Sequence, residues 1–398
     1  MSSQPSSPFV LPILCLLIAL GFFSTSIYLP SFPAIGKTLH AQPEAVQFTL
    51  ALFFLGSALG SLILGPIADR VGRLVIAKAG LLLFILVTFW CAESTNIHSL
   101  QIGRFFQGFA AGAGPLVSRA VGRDLYEGPA LAKFSATIMM VVSLSPAIAP
   151  TLGGFIQSSL GWKYNFYFLI LFASGIAIMV WKWLPETSSS LQKDTGISSA
   201  LKGYIILLKD PTYVLYCLII GLQMGSIFAY ITFSPYIFIS LFKFSPEEYG
   251  ALGIISAFGN ISGFTFARYM AHRIHFHEGI LVGSFLCFLA SLILLGICLL
   301  FSATALLVII FSVCFYAASA LAVVNASAAA MNLYSKIAGV AAALVGSIQI
   351  GSGFLGSSLA SILPATPFAL ALVMTSFTIL GFTISLFVAL PRHPFSKT

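Results

Sequence analysis

Charge is what this sequence has least of. Of 398 residues, 8% are Asp, Glu, Lys or Arg, against roughly 25% in an ordinary soluble domain. Apolar types make up 59%, so a fold of this size lacks the polar surface to cover its core in water. That excludes a water-soluble enzyme, a nucleic-acid binder and a disordered scaffold. Acids are scarcest: eleven in the chain, none at mid-depth of an apolar run. The six cysteines (Cys15, Cys91, Cys217, Cys287, Cys298, Cys314) all lie in apolar runs without close pairing. They read as small packing residues, not as a disulfide framework. No run alternates with a two-residue period over strand length, which argues against a barrel. No His/Asp/Glu cluster carries catalytic spacing, so neither an enzyme nor a cofactor is expected. His272, His275 and His277 have spacing that a metal accepts, but they read as a solvated interfacial loop, and no metal is expected.

Long apolar runs are what the chain has instead, with 34 Gly and 37 Phe. A membrane-spanning helix needs about 20 mostly apolar residues. Twelve such runs lie near 9–30, 46–68, 75–93, 98–119, 134–158, 165–184, 212–239, 248–269, 279–300, 303–327, 337–361 and 367–390. The first is preceded by no Lys or Arg, is too long for a signal core and leads to no small-residue cleavage site. It reads as a retained helix. Backbone satisfaction in lipid then predicts an all-α integral membrane bundle.

Basic residues orient the bundle. With the N-terminus inside, inner loops and tail hold fifteen Lys and Arg, the outer loops hold Lys37, Lys163 and Lys243, and Arg104 alone lies inside a run. Both termini are therefore expected in the cytoplasm, as an even number of spans requires. The net charge of +8 needs no anionic partner, because the basic residues sit mostly in loops.

The chain divides near its middle. Residues 185–211 form the longest polar stretch and are expected as a cytoplasmic central loop, between six-helix halves at 1–184 and 212–398. Gly154-Phe155 and Ser158-Ser159-Leu160 recur 199 residues later as Gly353-Phe354 and Ser357-Ser358-Leu359, and Gly65 and Arg70 recur as Gly263 and Arg268. This repeat predicts two pseudo-symmetric halves with a midplane site between them, a transporter architecture.

Three segments carry chemistry. After the second run the chain reads Gly65-Pro-Ile-Ala-Asp69-Arg70-Val-Gly72-Arg73. The glycine suits close helix approach, Asp69 suits a helix N-terminus, and Arg70 and Arg73 suit either Asp69 or anionic headgroups; a turn rich in inward-facing charge is the plainer alternative. In the fourth run, Arg104 and Gln107 share a helical face. A guanidinium inside an apolar run faces a cavity or a partner, or else holds backbone carbonyls. In the fifth, Pro146 and Pro150 each remove a helix hydrogen bond, and Gly153 and Gly154 permit close packing, in a moving or a static kink.

On these segments the sequence resembles the major facilitator superfamily, in its twelve-helix drug:proton antiporter branch of the bicyclomycin and chloramphenicol resistance type. The matches are Gly65, Asp69, Arg70, Gly72 and Arg73; Leu100, Arg104, Gln107 and Gly108; and Ala149-Pro150-Thr-Leu-Gly153-Gly154, where an antiporter motif usually starts with Gly. Tyr28-Leu-Pro30-Ser-Phe-Pro33, Arg119 to Tyr126, Leu184-Pro-Glu186-Thr187 and Asn325 to Gly339 agree with the same branch. The resemblance implies the major facilitator fold, alternating access and a bacterial inner-membrane location. It also implies that Gly65, Asp69, Arg70, Gly72, Arg73, Pro150, Gly153 and Gly154 serve the conformational switch.

One position departs. Members that resemble this chain carry an Asp in helix 1 where Ser26 stands here. A buried carboxylate can load and release a proton near neutral pH; a serine cannot. Glu93 with His98, at the outer ends of the third and fourth runs, is the most plausible substitute pair. Polar residues at helical spacing outline the cavity expected from the resemblance: Ser26 and Tyr28, Arg104 and Gln107, the stripe Gln223, Ser226, Tyr230 and Ser234, and Asn325. Each also fits plain helix–helix hydrogen bonding.

The leading function is a proton-driven exporter of amphipathic small molecules or drugs, acting as a monomer among membrane lipids. The alternative is a specific metabolite or siderophore transporter or facilitator without helix 1 coupling. A third class, a membrane sensor or enzyme, has no sequence feature in its favour.

Overall fold

A computed structural model describes residues 8–187, 197–270, 273–334 and 337–389. Lys193, Lys336, Arg392, Lys397 and His272 lie outside the described residues, as do residues 1–7 and 390–398 of the expected halves and 188–196 of the expected central loop. Among the described residues every regular element is helical. They are α1 (Val10–Ser26), α2 (Phe32–Thr38), α3 (Pro43–Val71), α4 (Arg73–Ala92), α5 (Ile97–Ala111), α6 (Ala113–Leu125), α7 (Gly128–Ser159), α8 (Lys163–Trp183), α9 (Ile197–Lys209), α10 (Pro211–Pro235), α11 (Pro246–Met270), α12 (Phe276–Leu300), α13 (Ala305–Leu333), α14 (Ala338–Ala360) and α15 (Pro367–Ala389). A 3-10 turn at Leu29–Ser31 joins α1 to α2, and a π turn at Tyr236–Leu241 extends α10.

Eleven helical spans among the described residues are long and apolar enough to cross a membrane. The fourth expected run differs. The regular pattern lapses for one residue at Gly112, between α5, 15 residues, and α6, 13 residues, but Gly112 keeps helical dihedrals (φ −58°, ψ −24°) and its N–H still donates to Gly108 O at 3.0 Å, so the two form one run of spanning length. α3 comes close at this point: a side chain at Gly112 would meet Ser57 O and Ser61 N at 2.8 Å, and the Ser61 hydroxyl donates to Gly112 O at 3.3 Å. Large apolar side chains such as Leu300 (77% exposed), Leu171 (73%) and Ile362 (73%) point outward, as expected for a surface solvated by lipid.

The central polar stretch is not simply a loop, as the sequence suggested, because it contains α9. Its polar average hides an apolar stretch, Tyr204–Leu208. Leu207 is fully buried against a core that includes Tyr213 and Tyr216, whereas Ile205, Ile206 and Leu208 are exposed. Asp210 then caps α10, accepting from Thr212 N at 2.8 Å.

The chain packs as two compact units. Unit 1 takes residues up to Gln42, Leu52–Ala200 and Ser245–Gly253; unit 2 takes Pro43–Ala51, Leu201–Phe244 and Ile254 onward. The same device builds both. In unit 1, Gly56 and Gly60 of α3 lie so close to the carbonyls of Phe105 and Phe109 in α5 that a Cβ could not be placed. In unit 2, Gly259 and Gly263 of α11 lie against Val313 and Ala317 of α13 in the same way. Without a hydrophobic force between helices in lipid, small residues four apart let backbones approach and gain dispersion contact.

This locates the repeat more narrowly than the sequence did. Gly263 is a tight packing position, but its sequence counterpart Gly65 is not: a Cβ there would rest at an ordinary 3.5 Å from Leu116 Cδ1. The close approach expected at Gly65 is made one to two turns earlier in α3. Inside unit 1, α7 runs unbroken through Pro146 and Pro150. Pro150 has no N–H for the carbonyl of Pro146, and Gly253 packs against that oxygen. Gly153 lies against the Ile27 carbonyl at the end of α1, and Gly154 against that of Pro246. Asn165 of α8 donates to Ser31 Oγ at 2.9 Å and to Gly153 O at 3.4 Å.

Candidate functional site

The most polar point in the interior of unit 1 is Arg104, and it is fully buried. Asn96 starts α5, its side chain accepting from Ser99 N at 2.9 Å, and Arg104 follows two turns later. Two aromatic rings pack against its guanidinium carbon, which lies 4.2 Å from the centroid of Tyr28 and 4.3 Å from that of Phe53. Nη1 donates to Gln107 Oε1. Gln107 Nε2 donates to Thr88 Oγ1 at 2.8 Å, and the Thr88 hydroxyl donates to Phe84 O at 2.5 Å. This relay orients the amide so that its oxygen faces the cation.

Tyr28 is itself fixed, edge-on to Phe32 at 5.1 Å and tilted on Phe166 at 5.8 Å. Desolvated cation–π contacts contribute about 2 kcal/mol each, which lowers the cost of burying the charge. Two donors of Arg104, Nε and Nη2, have no hydrogen-bond partner among the described residues. An unmet buried donor costs roughly 1–3 kcal/mol. Neither ion pair among the described residues involves Arg104. Arg104 and Gln107 thus meet as their shared helical face suggested, and Tyr28 reaches them from beyond the end of α1. Phe53 and Thr88 carried no sequence signal, since only packing brings α3 and α4 to them.

Ser26 is buried at the end of α1, 3.3 Å from Thr25 Oγ1. In unit 2 the stripe on α10 is buried as expected, at Gln223, Ser226, Tyr230 and Ser234. Ser226 donates to Leu222 O at 3.0 Å. Tyr230 packs edge-on to Tyr316 at 5.9 Å. Gln223 is fully buried, and neither its Oε1 nor its Nε2 has a partner among the described residues. Asn325 is different. Its amide donates to Leu321 O of its own helix at 2.8 Å and fills the space over Gly279 of α12, which is a packing role.

At the far end of unit 1, charges gather around the start of α4. Gly72 stands between α3 and α4 at φ 102°, a conformation that favours glycine. Glu186 accepts from Arg73 N at 3.1 Å and from Leu74 N at 3.0 Å, where a helix N-terminus favours an anion. Arg73 forms an ion pair with Asp124 and donates to Ala120 O at 3.2 Å. Thr187 donates to Asp124 Oδ2 at 2.8 Å. So the helix-capping role expected of Asp69 belongs here to Glu186, and the partner of Arg73 is Asp124. Asp69 and Arg70 are exposed, and Asp69 acts on Arg73 only as a more distant charge.

Glu93 and His98 do not form the expected pair. Glu93 accepts from Tyr167 and pairs with Lys163 Nζ at 3.4 Å, while His98 is exposed on the first turn of α5. The Tyr167 hydrogen bond, helped by Lys163, holds the Glu93 carboxyl below the usual carboxylate range. Among the described residues no group of three His, Cys, Asp or Glu gathers as a metal site would.

The family model described as Major Facilitator Superfamily matches residues 14–361. The chain is 30% identical to an uncharacterized MFS-type transporter, YdgK, of Bacillus subtilis, over 93% of this chain and 92% of the relative. It is 30% identical to a bicyclomycin resistance protein homolog of Haemophilus influenzae over 91% of each, and 28% identical to multidrug resistance protein D of Escherichia coli over 92% of each. The peptide transporter POT has the same fold, with a TM-score of 0.78 at 12% identity over 98% of this chain and 96% of that one.

Proposed function

Since the chain belongs to the Major Facilitator Superfamily, a family of membrane transporters, we propose that it exports amphipathic, drug-like small molecules by alternating access. One observation carries the reading. Each unit buries a polar side chain with two unmet hydrogen-bonding atoms among the described residues: Arg104 in unit 1 and Gln223 in unit 2. Cavities for apolar ligands are mostly hydrophobic with a few placed polar groups. Tyr28, Gln107 and Tyr230 complete the proposed contacts, with Ser26 beside them in sequence. The full-length similarity to a bicyclomycin resistance homolog and to a multidrug resistance protein supports the choice of substrate class.

The excess of inner-loop Lys and Arg supports a multi-pass placement in a bacterial cytoplasmic membrane with both termini inside. The chain acts as a monomer in this reading. Gly72, Arg73 and their partners Glu186 and Asp124 form a catch for one state, and Pro150, Gly153 and Gly154 allow α7 to shift. Proton antiport belongs to this reading too, though Ser26 removes its simplest carrier.

Expression in a drug-susceptible host with a panel of unrelated compounds tests the proposal. Broad resistance that is lost in Arg104→Ala is expected. Response to a single compound would instead favour a specific metabolite or siderophore facilitator, the reading that Ser26 supports. No response to any compound would overturn both.

A further inference from the structure

We propose that Arg104 is the docking point for an anionic group, a carboxylate or similar oxyanion, on the transported solute. The proposal rests on the transport reading above and names the chemical class of its substrate.

The Tyr28 and Phe53 ring centroids lie 4.2 and 4.3 Å from the guanidinium carbon, so both rings crowd the cation, and a ligand hydrogen-bonds to it along its N–H edge. On that edge Nη1 is occupied by Gln107. The two donors left without partners are Nε and Nη2. These N–H groups point the same way from the planar fork, and together they are the side-on pair that receives both oxygens of a carboxylate. The Nε N–H and the Nη2 N–H beside it therefore match a planar oxyanion in direction, and Nη2 keeps a second N–H. A neutral carbonyl would satisfy one of them.

Charge leads to the same class. An arginine stays ionised at any physiological pH, and this one is fully buried. Its one side-chain hydrogen-bond partner among the described residues is a neutral amide. Among the described residues the acids lie in loops or near helix ends, and neither ion pair there reaches Arg104. A buried charge is normally paired. The missing unit of negative charge arrives with the solute, which then crosses as part of a neutral pair. Full burial means that the solute enters in another state of the cycle, and alternating access supplies one.

The test measures binding, not flux, in purified full-length protein in a zwitterionic buffer of low ionic strength. Phenylbutyrate, phenylbutanol and phenylbutylamine share a skeleton and differ in head-group charge; benzoate and chloride complete the set. Saturable thermal stabilisation by phenylbutyrate or benzoate, and little by the alcohol or the amine, is expected. Arg104→Gln should abolish it. Gln107→Glu is the more telling variant, since it keeps the shape of the side chain and supplies a carboxylate against Nη1. It should raise the melting temperature of the unliganded protein and weaken the anion at least about tenfold, because like charges then meet at the site.

Equal stabilisation by the alcohol or amine, an unchanged anion response in Gln107→Glu, or no response to either carboxylate would overturn the proposal. Saturation of the effect by chloride alone would also overturn it, since the counter-ion would then be a resident inorganic ion. Failure here is separable from failure of the transport reading. Export of neutral drugs by cells would leave transport standing without the anion site. Anion binding without resistance to any compound would leave the site standing without drug export.

Discussion

The carboxylate of Glu186 occupies the space that a side chain at Gly72 would need: a Cβ on Gly72 would lie 2.5 Å from Glu186 Oε2. The glycine at φ 102° and the cap on α4 are therefore one device. Gly72→Ala is expected to cost about 1–3 kcal/mol from backbone strain, and Glu186→Ala about 1 kcal/mol from loss of the cap. The double mutant should cost less than their sum, because the steric conflict vanishes with the carboxylate. Thermal unfolding of the four proteins measures the coupling; strict additivity would separate the two residues.

Gly60 and Gly65 lie on the same helix and make opposite predictions. Gly60→Ala drives a Cβ into the Phe109 carbonyl and should destabilise by about 1–3 kcal/mol, as overpacking does. Gly65→Ala meets only the far end of Leu116 and should stay within about 0.5 kcal/mol of wild type. Melting curves in detergent decide between them. A severe Gly65→Ala defect with correct insertion would give that glycine a role in another conformational state.

Glu93 sets a pH dependence whose sign follows from its partners. The Tyr167 hydrogen bond favours the ionised carboxylate and depresses its pKa. The stabilisation is thus fully present above the ordinary glutamate value, about 4.3, and is lost as pH falls through the lower folded value. Tyr167→Phe should reduce stability above that range and converge with wild type in acid. At about pH 6–8 Glu93 stays ionised, so Glu93→Gln should leave gradient-driven flux in proteoliposomes nearly unchanged. A large loss would restore Glu93 as a coupling group.

Ser26→Asp places a carboxylate at a buried helix end, where buried acids in membrane spans serve proton relays. The variant should acquire or strengthen dependence of solute flux on an imposed pH gradient relative to wild type. Identical gradient dependence in the two proteins would mean that coupling does not pass through this position.

Much of this protein was settled by composition and order along the chain. Charge near a tenth of the residues, with apolar runs of spanning length, leaves a helical membrane bundle as the structure that satisfies its backbone in lipid. The face shared by Arg104 and Gln107 follows from helical periodicity alone, and so does the buried stripe on α10. What the tertiary structure decided is partnership. Phe53 closes on Arg104 because Gly108 lets α3 approach α5, a contact between residues far apart in the chain. Asp69 stood nearest Arg73 in sequence, yet Asp124 and Glu186 took the roles expected of it, since the ends of α6 and α8 converge on the start of α4. Asn325, the one amide in an alanine-rich stretch, turned back onto its own helix over Gly279. Periodicity tells which face a side chain occupies; only the packing of helices distant in sequence tells what that face meets.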